Sequence, residues 1–303
     1  MGENLSRREF FKKAGIIGVT TAGIGLGGGQ LLNLFEEEAD AAGSVICVAS
    51  GSKPDSMTKK AIDGLGGIQR FVKRGNTVCI KANLGWARRP DQAATTNPVV
   101  LSTVIKLCKQ AGASRVTVVE YTCDPSTPSL EMSEGKAVCS SLGARLVSGD
   151  NPSVYRRISI PRGKSLKSDQ CMKDVLDSDV FINIPIAKVH GGAVITASMK
   201  NLMGISFNRG NWHQKDLHQC IADYSTVVRP HLVILDAVRV LLTNGPKGPG
   251  ETKDVHQVIA GTDPVAIDAY AAKLLGKKPD EVRHIVFAEA LGVGHINASI
   301  KRV

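Results

Sequence analysis

The feature that most constrains this chain is the stretch 180–204, where an apolar run leads directly into polar side chains. Val180–Ile184 has the composition of a buried strand. Pro185 is expected to end that strand, because proline cannot donate to a strand ladder. Lys188 and His190 follow, just before a glycine pair. This order places two side chains that could bind a ligand or transfer a proton after the end of a buried strand.

The second half of the stretch is predicted to be a helix with two different faces. One face has the apolar spacing of a core-facing helix. Its members are Ile195, Met199, Leu202 and Met203. The adjacent face carries small residues together with Thr196 and Lys200, so another backbone or a bound anion can approach it closely. Asn201 lies in the same segment and is a candidate hydrogen-bond donor.

Strand-like and helix-like segments alternate along the rest of the chain. The other main predicted strands are Val45–Ala49, Thr77–Lys81, Arg115–Glu120, Leu232–Leu235 and Val255–Ala260. Successive strand–helix units favour right-handed crossovers and parallel strands. We therefore predict an α/β fold with an open, mostly parallel sheet and helices on both faces. The polar segment 150–170 is predicted to be an insertion or lid with a short strand at Ile158–Ile160.

Polar residues recur where predicted strands end, and loops at the carboxyl ends of parallel strands bind ligands in open α/β sheets. The candidate ligand-binding residues are Asn83, Arg88, Thr95, Thr96, Thr196, Asn201 and Asp236. Thr95 and Thr96 precede a helix that begins at Asn97-Pro98, with asparagine as N-cap. That helix start fits an anion site or simple capping. Asp236 is expected at the carboxyl edge of the sheet, where its strand ends.

Four residues are candidates for catalysis: Lys188, His190, Lys200 and Asp268. The two lysines are suited to hold a carboxylate or phosphate, and His190, which normally titrates near neutrality, is suited to general acid–base work. Asp268 borders the apolar face of a helix that begins at Asp263-Pro264, so its charge needs a partner. That partner is a structural group, a site lysine, or a metal shared with Asp236. We predict that Lys200 and Asp268 share one site.

The net charge of +10 favours anionic partners. Without residues 1–41, which hold four basic and six acidic residues, the remainder carries +12. Motifs typical of nucleic-acid binding are missing from the sequence, so nucleic acid is not a predicted partner. A small anionic ligand and an acidic protein both fit the charge, as does a solvated basic surface.

Seven cysteines are scattered without any C-x-x-C spacing, which argues against zinc-ribbon, thioredoxin and ferredoxin sites. Cys47 and Cys79 lie in strand-like runs, and Cys108 lies in an amphipathic helix. We expect these three thiols to be small core residues. No iron–sulfur cysteine motif is present, and the sequence identifies neither a cofactor nor a metal.

The N-terminus resembles a twin-arginine export signal. Residues 6–12 read Ser-Arg-Arg-Glu-Phe-Phe-Lys, a glycine-rich apolar run follows, and Ala39-Asp40-Ala41 has the small residues of a cleavage site. We predict a signal peptide over 1–41, a mature α/β domain over 42–303, and a periplasmic or other extracytoplasmic location. The twin-arginine translocase would then be a partner during export. An uncleaved N-terminal anchor is the alternative.

Several motifs resemble the DUF362 family. They are INIPIAKVHGG and TASMKNLMG within 182–204, ATTNPVV at 94–100, LVILDAV at 232–238, GPKGPG at 245–250 and AGTDPVAIDAYAAKLLG at 260–276. The resemblance implies an α/β fold and leaves the substrate open, because the family has no settled activity. Some members carry ferredoxin-type cysteine repeats, and this chain has none.

Two functions are compatible with these features. The first is an exported protein that binds a small anionic ligand in a cleft lined by lysine, histidine and aspartate, as an enzyme of proton-transfer or isomerase type. The second is a non-catalytic accessory or binding protein for a redox or metal-cofactor system, with a redox protein as partner.

Overall fold

The structure, a computed structural model, describes residues 44–303. The predicted signal segment and its cleavage site after Ala41 lie outside the described residues. The strands are β1 Val45–Ser50, β2 Thr77–Ala82, β3 Arg115–Glu120, β4 Arg145–Ser148, β5 Tyr155–Ser159, β6 Ser168–Met172, β7 Val180–Ile184, β8 Ile186–His190, β9 Val194–Thr196, β10 Leu232–Leu241, β11 Thr252–Gly261 and β12 Ser299–Arg302.

The helices surround this sheet. They are α1 Pro54–Gly64, α2 Pro98–Gln110, α3 Ser126–Met132, α4 Gly135–Ser141, α5 Lys173–Asp177, α6 Ser198–Asn201, α7 Arg209–His213, α8 Leu217–Ser225, α9 Pro264–Leu274 and α10 Arg283–Ala290. Among the residues described, no helix is long and apolar enough to cross a membrane.

The main sheet has the order β12-β1-β11-β10-β7-β2-β3-β4, with β8 beside β10 and β9 beside β8. Six strand pairs are parallel: β1–β12, β10–β7, β10–β8, β2–β3, β2–β7 and β3–β4. β11 is antiparallel to both β1 and β10. The predicted fold class, α/β with a mostly parallel sheet, is confirmed.

Two apolar cores lie on the two faces of the sheet. β7 shows the reason, because successive side chains of a strand point to opposite faces. Phe181 packs into one core with residues of α8, α9 and α10. Val180, Ile182 and Ile184 pack into the other core with residues of α1 and α2. Burial on both faces explains why β7 is apolar at every position except Asn183.

Three helix starts are capped by side chains, and two of them, at Asn97 and Asp263, were predicted from the sequence. The Asn97 side chain accepts a hydrogen bond from Val99 N at 2.8 Å. Asp216 accepts from His218 N and Gln219 N, and Asp263 accepts from Val265 N and Ala266 N. Each cap satisfies amide groups that have no partner inside the helix. These local signals need no knowledge of the tertiary structure.

The segment after Pro185 differs from the prediction. The chain continues as β8 and turns back as β9, so Thr196 and Ile195 lie on a strand and the helix starts only at Ser198. β8 pairs with β10 and β9 pairs with β8, which supplies partners for this backbone. The insertion 150–170 is likewise more ordered than expected, because β5 and β6 form an antiparallel two-stranded sheet.

Candidate functional site

A cleft of about 620 Å³ lies where β2 and β3 end, next to the β8–β9 hairpin and α6. Its charged and titratable lining residues are Lys81, Glu120, Cys123, Lys188, His190, Lys200, Arg209 and His213. Carboxyl ends of parallel strands form the ligand-binding edge of open α/β sheets. The cleft therefore lies where the sequence predicts a site, although its lining differs in part from the predicted set.

Lys81 and Glu120 form a buried ion pair at the floor of the cleft. Their side chains are 1% and 3% exposed, and Lys81 Nζ lies 2.8 Å from Glu120 Oε2. Lys81 also donates to Asn201 Oδ1 at 3.2 Å and to the carbonyl of Ala82. Burial lowers the pKa of Lys81, and the nearby Glu120 carboxylate opposes that shift. One cation of the cleft thus has its own counter-ion.

Three asparagines connect the lysines across the cleft. Asn83 Nδ2 donates to Asn201 Oδ1 at 2.9 Å, and Asn201 Nδ2 donates to Asn183 Oδ1 at 2.8 Å. Asn83 Oδ1 in turn accepts from Lys188 Nζ at 3.3 Å. Lys81 joins the chain through Asn201. The predicted residues Asn83 and Asn201 therefore do lie together with Lys188.

Lys188 and Lys200 lie in the cleft without a carboxylate partner in the described part of the chain. Lys188, which is 1% exposed, donates to Asn83 and to the carbonyl of Ala94. Burial, together with the positive charge of Lys200, lowers the pKa of Lys188 to about 7. Burial lowers the pKa of half-buried Lys200 to about 8. Both lysines can therefore lose a proton near neutral pH.

His190 lines the cleft but does not titrate near neutrality, which corrects the expectation from sequence. Burial and the charges of Lys200 and Lys188 lower its pKa to about 3, so the imidazole is neutral at pH 7. Its Nδ1 accepts hydrogen bonds from Gly192 N at 3.0 Å and Ala193 N at 3.1 Å. These two bonds stabilise the turn between β8 and β9, and they occupy Nδ1 as an acceptor of backbone amides.

Two threonine hydroxyls predicted at the site are buried, and neither has a hydrogen-bond partner among the residues described. Thr196 lines the cleft and pairs with Lys188 across the β8–β9 hairpin. Thr95 lies next to Ala94, whose carbonyl binds Lys188, but it does not line the cleft. A buried hydroxyl without a partner is costly, so the Thr196 hydroxyl is well placed to receive a ligand.

Asp268 is not in the cleft, which corrects the predicted shared site with Lys200. It is fully buried and accepts from Ser198 N at 2.5 Å and Met199 N at 3.1 Å at the start of α6. Its nearest cationic candidate is His284, whose Nε2 lies 3.7 Å from Asp268 Oδ2. The structural alternative, bonds to backbone amides, is therefore the observed one.

The direction of β11 explains this error. β11 is antiparallel to β10, so the carboxyl end of β11 lies at the opposite edge from the ends of the parallel strands. α9, which carries Asp268, starts from that opposite edge. Burial raises the pKa of Asp268, as expected for a carboxyl enclosed by helices.

Asp236 also lies away from the cleft lining. Its strand does not end there, because β10 continues to Leu241 through a bulge between Ala237 and Arg239. Asp236 is 1% exposed and accepts from Asn97 N at 2.7 Å and Val238 N at 3.0 Å. Burial raises its pKa to about 6. Its bond to Asn97 N stabilises the start of α2.

Thr96 and Arg88 have structural contacts. Thr96 Oγ1 donates to Ile184 O at 2.7 Å and accepts from Asn83 N at 2.8 Å, so it joins the ends of β2 and β7. Arg88 donates to the carbonyls of Lys247 and Gly248 and so holds the glycine–proline loop. Pro246 of that loop lines the cleft.

The domain of unknown function DUF362 matches residues 78–273, a range that contains every cleft residue described above. The chain belongs to the DUF362 family. A curated relative, the thylakoid-associated protein sll1697 of Synechocystis sp., is 27% identical over 258 residues, which cover 79% of this chain and 75% of the relative.

The fold of this DUF362 protein is similar to that of a solved structure, the lactate racemase apoprotein from Thermoanaerobacterium thermosaccharolyticum. The TM-score is 0.51 with 13% sequence identity, over 75% of this chain. The match spans 56% of the racemase chain, so just over half of that protein has a counterpart here. At this identity the likeness concerns the fold.

Sequence reasoning missed Lys81, Glu120 and Cys123, and it did not name Arg209 and His213 as site residues, although all five line the DUF362 cleft. A signal was available for two of them, since Lys81 and Glu120 are charged residues at the ends of otherwise apolar strand runs. Arg209 donates to the carbonyls of Tyr121 and Thr122, and its guanidinium lies 3.9 Å from the Tyr121 ring centre.

A histidine pair and the three predicted core cysteines are buried in this DUF362 protein. His218 Nδ1 lies 3.2 Å from His284 Nδ1. Cys47, Cys79 and Cys108 are buried as predicted. Within residues 44–303, no group of three or more His, Cys, Asp or Glu side chains is arranged to hold a metal ion.

Proposed function

We propose that this DUF362 protein binds a small carboxylate in its cleft and moves a proton at the carbon beside the carboxyl group. The observation that carries the proposal is the pair Lys188 and Lys200, two lysines that face one cleft without a carboxylate partner in the described chain. Lys81 differs from them, because Glu120 already neutralises it.

A bound anion would relieve the cost of placing these lysines together. Burial and nearby positive charges favour their neutral amine forms. A carboxylate between Lys188 and Lys200 favours the ammonium forms instead, so binding is accompanied by proton uptake. Lys200 is the better holder of the anion, since none of the described residues bonds to its ammonium group and it remains half-buried.

Lys188 is suited to the proton transfer itself. A group with a pKa of about 7 is present in both protonation states at neutral pH, which is the best condition for general acid–base catalysis. Asn83 Oδ1 and the Ala94 carbonyl accept from its Nζ and so fix the direction of the amine. Because His190 is neutral at pH 7, the two lysines are the groups that gain or lose a proton in this proposal.

Two similar proteins fit the proposed reaction class and the proposed location. The fold is shared with a lactate racemase apoprotein, a protein whose named substrate is a small carboxylate. The thylakoid association of the Synechocystis relative is compatible with export. We also propose that the protein is exported by the twin-arginine route, because it carries the Arg7-Arg8 motif.

Binding is tested first, by calorimetry with acetate, lactate, pyruvate and inorganic phosphate. Lys200→Met should weaken binding of the carboxylates by at least about tenfold, because one screened charge pair contributes on the order of 1–2 kcal/mol. Lys273→Met is the matched control, since Lys273 is exposed on α9 and does not line the cleft. Absence of binding by all four anions would overturn the proposal.

Proton transfer is tested in deuterated water. The protein is incubated with small 2-hydroxy carboxylates, and proton NMR follows the loss of the C–H signal beside the carboxyl group. Lys188→Met should abolish the exchange and retain part of the binding, while Lys273→Met should leave both unchanged. Tight binding without exchange in the wild type would favour the non-catalytic accessory function instead.

A further inference from the structure

Cys123 is unlike the other six thiols of the chain. It is exposed and lines the cleft, whereas the remaining cysteines are buried. It lies three residues after Glu120, the last residue of β3. Its side chain lies beside Gly85, where an added Cβ would be 3.8 Å from the sulfur. A single accessible thiol thus lies at the ligand-binding edge.

The backbone around Cys123 is held from several sides. Its own N–H donates to the Gly85 carbonyl at 2.7 Å. Arg209 binds the two preceding carbonyls, those of Tyr121 and Thr122. Asp124, the next residue, accepts from Lys247 Nζ at 2.8 Å. The sulfur is therefore presented to the cleft from a fixed position.

Cys123 shares the cleft with three lysines. Lys81, Lys188 and Lys200 all interact electrostatically with Cys123. The thiolate is the nucleophilic form of a cysteine. The same positive charge attracts anionic reagents into the cleft. The cleft thus contains both a thiol and the positive charge that attracts anions to it.

An independent observation indicates that a ligand belongs here. Thr196 is 3% exposed and lines the cleft, and its hydroxyl has no partner in the described part of the protein. It lies opposite Lys188 in the β8–β9 register. A ligand oxygen that accepts from this hydroxyl would satisfy it while also facing a lysine.

We propose that Cys123 is a covalent modification site for small carboxylates that carry an electrophilic carbon. The proposal rests on the anion-binding function proposed above and adds a reaction to it. The thiol gives up its proton to a neutral cleft lysine, and the sulfur bonds to the electrophilic carbon. With an α,β-unsaturated acid the carbon–carbon π pair moves to the carbon beside the carboxylate, which takes a proton from a lysine ammonium group.

The test compares iodoacetate with iodoacetamide, which differ mainly in charge. In both, the sulfur–carbon bond forms as the carbon–iodine bond breaks and iodide leaves. Intact-mass kinetics at pH 7.5 should show one modified thiol, and Cys123→Ser should remove it. Relative to glutathione, the iodoacetate-to-iodoacetamide rate ratio should rise ~10-fold or more. Lys200→Met should return the ratio towards that of glutathione, and Lys273→Met should not.

A second measurement needs no variant. Unreactive acetate should slow iodoacetate labelling of the folded wild type more than an equal concentration of sodium chloride does. A wild-type ratio equal to that of glutathione, with carboxylate binding still present by calorimetry, would overturn the Cys123 proposal and leave the proposed function standing. A glutathione-like ratio together with absent binding would overturn both.

Discussion

Lys81 and Glu120 form an ion pair of 2.8 Å beneath the backbone of Gly204, with both side chains almost fully buried. Glu120 Oε2 also accepts from Leu84 N at 2.6 Å, so the carboxylate joins the ends of two parallel strands. This relationship positions the floor of the cleft and leaves Lys188 and Lys200 as the lysines available to a ligand.

Gly204→Ala is expected to destabilise the protein by about 3 kcal/mol, since overpacking forces side chains out of place. An added Cβ would lie 2.2 Å from Glu120 Oε1 and 2.6 Å from Lys81 Cε. Urea unfolding measures the change. Gly210→Ala, on α7, is the control, because a Cβ there meets nothing within 4 Å. Equal stability of the two variants would contradict the close approach.

Removing one partner of the Lys81–Glu120 pair is expected to cost about 3–5 kcal/mol, because the other charge remains buried without a partner. Lys81→Met combined with Glu120→Gln should cost less than the sum of the single changes. The exposed Arg239–Asp254 pair, 2.6 Å apart, is the control cycle and should show a coupling below about 1 kcal/mol. Similar coupling in the two cycles would show that burial does not decide the strength.

The stability of the wild type should rise with pH between about 7 and 10 partly because of Lys188. Its folded pKa of about 7 lies below the ordinary lysine value of 10.5, so the unfolded state binds more protons across this range. Stability then increases by about 1.4 kcal/mol per pH unit from this group. The penalty for the buried ammonium is fully present below pH 7.

Lys188→Met should remove that contribution. Its unfolding free energy, measured by urea denaturation at pH 7.0, 8.0 and 9.0, should rise less steeply with pH than that of the wild type. Lys273→Met keeps Lys188 and should follow the wild-type slope. If Lys188→Met and the wild type change in parallel over these three pH values, the lowered pKa is refuted.

Export is tested by the double change Arg7→Lys and Arg8→Lys. Twin-arginine transport depends on the arginine pair, so the variant should remain in the cytoplasm as the longer precursor. Cell fractionation and mass spectrometry of the N-terminus give the location and the cleavage point, expected after Ala41. Arg156→Lys with Arg157→Lys, an exposed arginine pair in β5, controls for the substitution itself. Normal processing of the Arg7/Arg8 variant would exclude this route.

Local sequence signals determined much of the fold. Period-2 and apolar runs marked β1, β2, β3 and β7, and the capping residues Asn97 and Asp263 marked two helix starts. These signals are readable because a cap or a buried strand depends on neighbours within a few residues. The stretch 180–204 also pointed to the site, and Lys188, Lys200, Asn83, Asn201 and Thr196 all line the cleft.

Only the tertiary structure decided which charged residues meet. The apolar run at the end of β11 is buried, but it contains no information on the direction of the strand. Because β11 runs antiparallel to β10, the helix with Asp268 starts from the other edge, and Asp268 binds the amides of α6 instead of a ligand lysine. Lys81 and Glu120, 39 positions apart, become partners only through the parallel pairing of β2 with β3. Strand direction and register are set by contacts between distant segments, which no local pattern records.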